Sequence, residues 1–226
     1  MLTAPPKSRY KKILYENGLS LIVLLLIIIS MLGQLFTGWL DYNDELKQMQ
    51  LPTLTLNQYL GSGHFLEATF ENWESEFLQM GLFVLLTVWF RQKGSAESKK
   101  LYEQEEVDRE PKPAVEAPWP VNAGGLWLKL YKNSLSLAFF LLFLLSFLLH
   151  AYGGMKVYNV EQVDTGEPTV TMLGYMASSR FWFESFQNWQ SEFVSIFSIV
   201  LFSVFLRQKG SPESKPVDMP HSEMES

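Results

Sequence analysis

Residues 14–99 align with residues 130–215 at a constant offset of 116 and without a gap, and 37 of the 86 paired positions are identical. Asn72-Trp73-Glu74-Ser75-Glu76-Phe77 returns as Asn188-Trp189-Gln190-Ser191-Glu192-Phe193. Leu14-Tyr15-x-Asn17 returns as Leu130-Tyr131-x-Asn133, and Pro52-Thr53-x-Thr55 as Pro168-Thr169-x-Thr171. Chance does not produce such agreement, so the chain reads as a tandem duplication. Whatever one copy folds into, the molecule contains two of it.

Each copy begins with a long apolar run. Residues 18–40 form one of about 23 residues, uninterrupted from Leu21 to Ile29, and residues 134–154 form the other. A hydrocarbon core of about 30 Å is crossed by about 20 helical residues, so both runs are long enough to span it. The first exceeds the 7–15 apolar residues of a secretory leader and has no small-x-small cleavage site after it, so it reads as a span. Each copy ends with a shorter run, residues 77–90 and 193–206. Extended back to Asn72 and Asn188, these reach 19 residues each and place Trp73 and Trp189 as interfacial anchors. Arg91 and Lys93, then Arg207 and Lys209, close the opposite ends, where cations suit both a helix C-terminus and lipid headgroups. Gly94 and Gly210 are expected to supply the left-handed residue after each helix.

The fold class expected is therefore an all-α integral membrane protein, with four transmembrane helices arranged as two tandem, parallel two-helix repeats. Residues 1–95 form the first two-span unit and 127–211 the second. Between them, 96–126 is dense in Glu, Lys and Pro and reads as a disordered cytoplasmic linker, with 212–226 as a similar tail. In the outer loops, 54–56 and 170–172 are expected to be short extended pieces. The aromatic stretches 57–71 and 173–187 are expected to form helices lying at the interface.

Charge decides the orientation. With the N-terminus inside, residues 1–16, 91–132 and 207–226 hold 15 of the 18 Lys and Arg, leaving only Lys47, Lys156 and Arg180 for the outer loops. The positive-inside rule then puts both termini in the cytoplasm. Each unit crosses twice, so the copies run in the same sense, related by a pseudo-two-fold axis along the membrane normal.

An ionisable group inside a span is costly, about 2.5–3.5 kcal/mol at mid-membrane on insertion scales, so its position carries information. On a helix Asn72, Ser75, Glu76 and Gln79 form one stripe, repeated as Asn188, Ser191, Glu192 and Ser195. Gln34 and His150 are equivalent in the repeat and lie near the outer ends of their spans. Antiparallel pairing within a unit would set Gln34 at the depth of Glu76 and His150 at that of Glu192. Two readings stay open: a polar intramembrane cluster that binds a cation or relays protons, and a set of interfacial helix caps. Glu74, replaced by Gln190, reads as dispensable in one copy. His64, replaced by Arg180, and His221, in the tail, are set aside.

Composition removes other functions. A chain with no cysteine cannot carry a disulfide framework or a thiolate metal site, and a formal charge of −6 argues against nucleic acid. There is no phosphate loop, no G-x-S-x-G and no H-E-x-x-H. No enzyme activity, cofactor or metal is therefore expected. The partners expected are the lipid bilayer, a second copy of the chain in a homo-oligomer, and an unidentified membrane or envelope protein. The expected function is a non-catalytic membrane scaffold, sensor or partner-binding component. The alternative is a proton- or cation-linked channel or transporter using Glu76 and Glu192. The repeated N-W-[EQ]-S-E-F, followed by a span and R-Q-K-G-S-x-E-S-K, resembles an uncharacterised family of bacterial membrane proteins classed as a domain of unknown function. That resemblance implies a multi-pass bacterial inner-membrane protein and transfers no site residues.

Overall fold

The computed structural model describes residues 8–219. Residues 1–7 of the first unit, and 220–226 of the tail with His221, lie outside the described residues. Among the described residues the structure is helical and contains no strand. Helix α1 (Arg9–Gln48) leads to the short α2 (Leu56–Leu60) and then to α3 (Gly63–Trp89). After a long connection come α4 (Trp119–Ala123) and α5 (Gly125–Lys132), then α6 (Ser134–Thr165), the short α7 (Met172–Met176) and α8 (Ser179–Phe205). The limits of α7 and α8 are those of α2 and α3 displaced by 116 residues.

Local chemistry explains these shared limits. Thr55 and Thr171 cap α2 and α7, accepting hydrogen bonds from the backbone N–H of Gln58 and Gly174. Ser62 and Ser178 do the same for α3 and α8 through Phe65 and Phe181. The Asn43 side chain bonds both the N–H (2.7 Å) and the carbonyl (2.9 Å) of Leu54, and Asn159 holds Val170 likewise, at 2.7 and 3.0 Å. The carboxamide thus stands in for a missing strand partner and ties each outer loop to the helix before it. Segments 51–55 and 167–171 run without helix and without sheet, with Thr55 and Thr171 extended, and Leu56 and Met172 already open α2 and α7.

The aromatic stretches are divided: their first residues form the separate short helices α2 and α7, and the rest continues without a break into the apolar part of the next helix. α3 runs continuously from Gly63, and α8 from Ser179, where separate interfacial helices were expected. Once Ser62 or Ser178 has started the helix, no proline interrupts it. Three helices are long and apolar enough to cross a membrane: α1, α6 and α8. The fourth expected span, in α3, is not among them. Its apolar half is preceded by Glu67, Glu71, Glu74 and Glu76, whereas α8 carries only Glu184 and Glu192 beyond its first turn.

Packing also departs from the two-helix module. The hairpin reading pairs α1 with α3 and α6 with α8, but the principal interface joins α3 of the first unit to α6 of the second. The two run antiparallel, with Gly63 opposite Gly153 at the outer end and Gly81 opposite Phe139 and Phe140 further in. A Cβ on Gly153 would stand 2.5 Å from the Glu67 backbone nitrogen, and one on Gly63 would stand 2.7 Å from the Gly153 carbonyl. Small residues at such crossings let backbones approach within a membrane. α8 lies parallel to α3, and α1 packs mainly on α2 and α3. None of the most apolar stretch of α1 is buried. The rest of the core is two aromatic clusters, Tyr42 and Tyr59 with Trp39 and Phe65, and Tyr175 and Phe181 with Phe147 and Tyr158.

The segment 96–126 contains a 3₁₀ turn at Glu106–Asp108 and the helix α4, with Asn122 bonded to the backbone of Ala114 and Ala117. The glycines of R-Q-K-G-S do take positive φ, 84° at Gly94 and 86° at Gly210. They sit in separate turns beyond the helix ends, however, while Phe90 and Leu206 close α3 and α8 in extended conformation. Bulky residues suffice there because the chain leaves the helix without reversing.

Candidate functional site

The close approach of α3 and α6 presses a set of charged side chains together near the Gly63–Gly153 crossing. His150 of α6 is fully buried. Its Nδ1–H donates to Glu74 Oε2 on α3 at 3.0 Å, and both partners have no exposed side-chain surface. Glu74 Oε1 accepts the indole N–H of Trp189 from α8 at 3.2 Å. Both oxygens of this carboxyl are thus acceptors, so the Nδ1 proton is assigned by the partner it meets. His150 Nε2 lies 3.5 Å from Glu184 Oε2 and makes no hydrogen bond.

Glu184 organises the outer side of the cluster. It accepts from the Tyr175 hydroxyl at 2.6 Å and from Arg180 Nε at 2.9 Å. Arg180 also binds Glu161, and its guanidinium lies 5.7 Å from the centre of the Tyr158 ring. Tyr175 is 3.3 Å from Glu67 Oε1 as well, and so bridges two carboxyls from different units. Burial, followed by the hydrogen bond to Glu184, holds the Tyr175 phenol far above its usual range, which keeps it a donor. Asn188 donates to Glu71 and to the carbonyl of Glu184. Five carboxyls (Glu67, Glu71, Glu74, Glu161 and Glu184) therefore converge on one guanidinium and one imidazole. That excess of negative charge in a poorly hydrated place calls for protons or a cation.

The expected site residues distribute unevenly around this centre. His150 and Asn188 belong to it, and Trp189, expected as an interfacial anchor, instead donates into it. Trp73 remains partly exposed at the surface. Gln34 donates to Thr69 Oγ1 at 3.1 Å, one helical stretch away from Glu76. His150 meets Glu74 of the other unit and Glu184 rather than Glu192. The stripe on α3 is split: Ser75 and Gln79 are buried, while Asn72 and Glu76 are exposed. On α8, Ser191 is exposed and Glu192 half-buried, with its backbone carbonyl accepting from Gln79 at 2.9 Å. The side chains of Glu76 and Glu192 do come close to each other across the parallel pair α3 and α8. At the far ends Arg91 and Arg207 donate to the last carbonyls of their own helices, and Lys93 and Lys209 follow in the turns.

Reading residues that both copies share misses the centre of the cluster. Glu74, Glu67, Glu184 and Arg180 occupy positions where the other copy has Gln190, Phe183, Ala68 and His64. The usable signal lies in those differences. In the first unit Tyr59 meets His64 at 2.9 Å and Tyr42 stacks on that ring, with no carboxyl in the position of Glu184. A duplicated scaffold thus carries charge at one of its two equivalent places.

No curated protein and no solved structure matches the chain. A family model described as Domain of unknown function (DUF6766) matches residues 10–226. With helices apolar enough to cross a membrane and a match over nearly its whole length, the chain belongs to this DUF6766 family.

Proposed function

We propose that the protein is a non-catalytic sensor of a bacterial inner membrane. In this reading it has four crossings, with both termini in the cytoplasm. Its two units are clasped at the outer end by the acid–imidazole cluster. α3 is the fourth crossing. Its support is antiparallel packing along α6, which turns Glu67 and Glu74 into the protein and away from lipid. The single observation that carries the sensing role is the fully buried His150 between Glu74 of one unit and Glu184 of the other. Adding or removing a charge there alters the attraction between units, because a buried charge depends on its partners. The charged groups facing His150 are Glu67, Glu71 and Glu74 from α3 and Glu184 from α8; behind Glu184 stand Tyr175 from α7 and Arg180 from α8, the latter paired with Glu161 of α6.

A second reading, transport of protons or cations, draws support from the meeting of Glu76 and Glu192 beside the cluster. One experiment separates the two. Cysteines replacing Asn57 and Thr165, both exposed in outer segments, are spin-labelled in a chain that has no native cysteine. In reconstituted vesicles both react with an impermeant thiol reagent from outside, and a cysteine at Lys112 does not. The label-to-label distance changes when external pH falls from about 8 to about 5, and His150→Gln abolishes the change. An unaltered distance with proton flux through the wild type, lost in Glu76→Gln/Glu192→Gln, favours transport. Labelling of Lys112 and Thr165 from one side overturns the four-crossing topology.

A further inference from the structure

The buried imidazole has one face that nothing in the hydrogen-bond network uses. Glu74 holds Nδ1–H, which leaves the Nε2 lone pair facing Glu184 Oε2 at 3.5 Å. Nε2 is without a hydrogen-bond partner on a side chain of zero exposure. One ligand atom from each of Glu67, His150 and Glu184 lies within 4.8 Å of the other two. Lone pairs of an imidazole and two carboxyls facing one another repel unless a positive charge sits between them.

The spacing indicates which positive charge fits. At 3.5 Å, Nε2 and Glu184 Oε2 are too far apart for a good hydrogen bond. Two ligand atoms each about 2.1 Å from one ion, at a tetrahedral angle, lie about 3.4 Å apart. A carboxylate behind the distal nitrogen is the arrangement that fixes the ring of a metal-binding histidine and raises its basicity. Glu74 occupies that place. Tyr175 and Arg180, bonded to the carboxyls, aim their oxygens in the same way. We propose that Glu67, His150 and Glu184 bind one divalent first-row transition-metal ion at the junction of the two units. The proposal rests on the sensing reading of the same cluster and names what is sensed. One imidazole with two carboxylates suits Zn²⁺, Mn²⁺ or Fe²⁺, and the nitrogen ligand disfavours Ca²⁺ and Mg²⁺. Glu184, partly exposed at its side chain, marks the direction of entry from the outer face.

The test uses the full chain purified in detergent and Zn²⁺ as the probe, with binding followed by calorimetry and elemental analysis. One Zn²⁺ binds per chain, more tightly as pH rises, because the ion competes with a proton at Nε2. His150→Gln and Glu184→Gln weaken binding at least about 100-fold, and Glu74→Gln weakens it about 10–100-fold through the ring it orients. Glu76→Gln/Glu192→Gln leaves it unchanged. Mn²⁺ bound to the wild type gives an electron-spin signal coupled to one imidazole nitrogen, a readout that needs no variant. Failure of Zn²⁺ to bind at one per chain, or a Mn²⁺ signal free of nitrogen coupling, overturns the metal site. The vesicle distance measurement, made with chelator present, is independent of that result: a retained pH response keeps the sensing reading even where Zn²⁺ fails to bind, and a lost response removes the sensing reading even where Zn²⁺ binds.

Discussion

At the scale of single residues, Glu74 and Glu76 differ by two positions and by almost everything else. Glu74 is fully buried and accepts from His150 and Trp189, whereas Glu76 is exposed. Removing one partner of a buried ion pair leaves the other charge uncompensated, a loss of about 3–5 kcal/mol. Glu74→Ala is accordingly expected to lower stability by about 3 kcal/mol, read from denaturant unfolding in micelles, with Glu76→Ala near wild type. Equal effects of the two substitutions would remove Glu74 from the centre of the cluster. Which of the two is buried was not legible in the sequence. Two residues on a helix are separated by about 200°, so the stripe containing Asn72, Ser75, Glu76 and Gln79 excludes Glu74. Sequence periodicity identified the polar stripe, but the tertiary partners bury only Ser75 and Gln79 of it and bury Glu74 from outside it.

Among the helices, the asymmetry between α1 and α6 has a steric origin. Equivalent in the repeat, they behave differently: α6 lies against α3, while α1 leaves its most apolar stretch uncovered. The α3–α6 crossing depends on Gly63, Gly81 and Gly153. Their counterparts are Ser179 and Phe197 on α8 and Thr37 on α1, so the corresponding surfaces of α1 and α8 cannot approach as closely. Adding bulk at a tight crossing is destabilising by about 1–3 kcal/mol. Gly153→Val is expected to cost that much and to lower the melting temperature by several degrees. Gly33→Val, in open space on α1, should leave it unchanged in the same melting experiment. The long apolar runs in α1, α6 and α8 were readable from sequence, whereas the starts of α2, α3, α7 and α8 emerged only with the caps Thr55, Ser62, Thr171 and Ser178. The pairing of helices was not readable, because the matched glycines reside in different copies and nothing local links them.

Across the molecule, the two units meet a second time at the opposite end. Ser95 and Ser203 hydroxyls bond at 2.7 Å, and the R-Q-K-G-S-x-E-S-K turns repeat the same internal bonds, among them those from the N–H of Gln92 to Ser98 (2.8 Å) and of Gln208 to Ser214 (2.9 Å). Here Glu97 faces its counterpart Glu213. Burial, and then the hydrogen bond with Glu213, push the Glu97 carboxyl up to about 7. Because the folded value lies above the unfolded one, this contact contributes most below the unfolded range near 4.5 and fades as pH rises through about 7. The melting temperature should therefore fall between about pH 5 and pH 8, and Glu97→Gln should flatten that slope. A wild-type profile as flat as that of the variant would remove Glu97 from the junction.

The sequence by itself determined the apolar helices and the doubling of the chain. These depend on hydrophobicity along the chain and on residue identity at a fixed offset, both of which can be read without knowing what packs against what. Only the tertiary structure decided that the first unit's second helix packs on the second unit's first. It thereby placed His150 between Glu74 and Glu184. The reason is that contact across units is set by shape at a few glycines and by charge where the copies differ, and neither leaves a periodic trace along the chain.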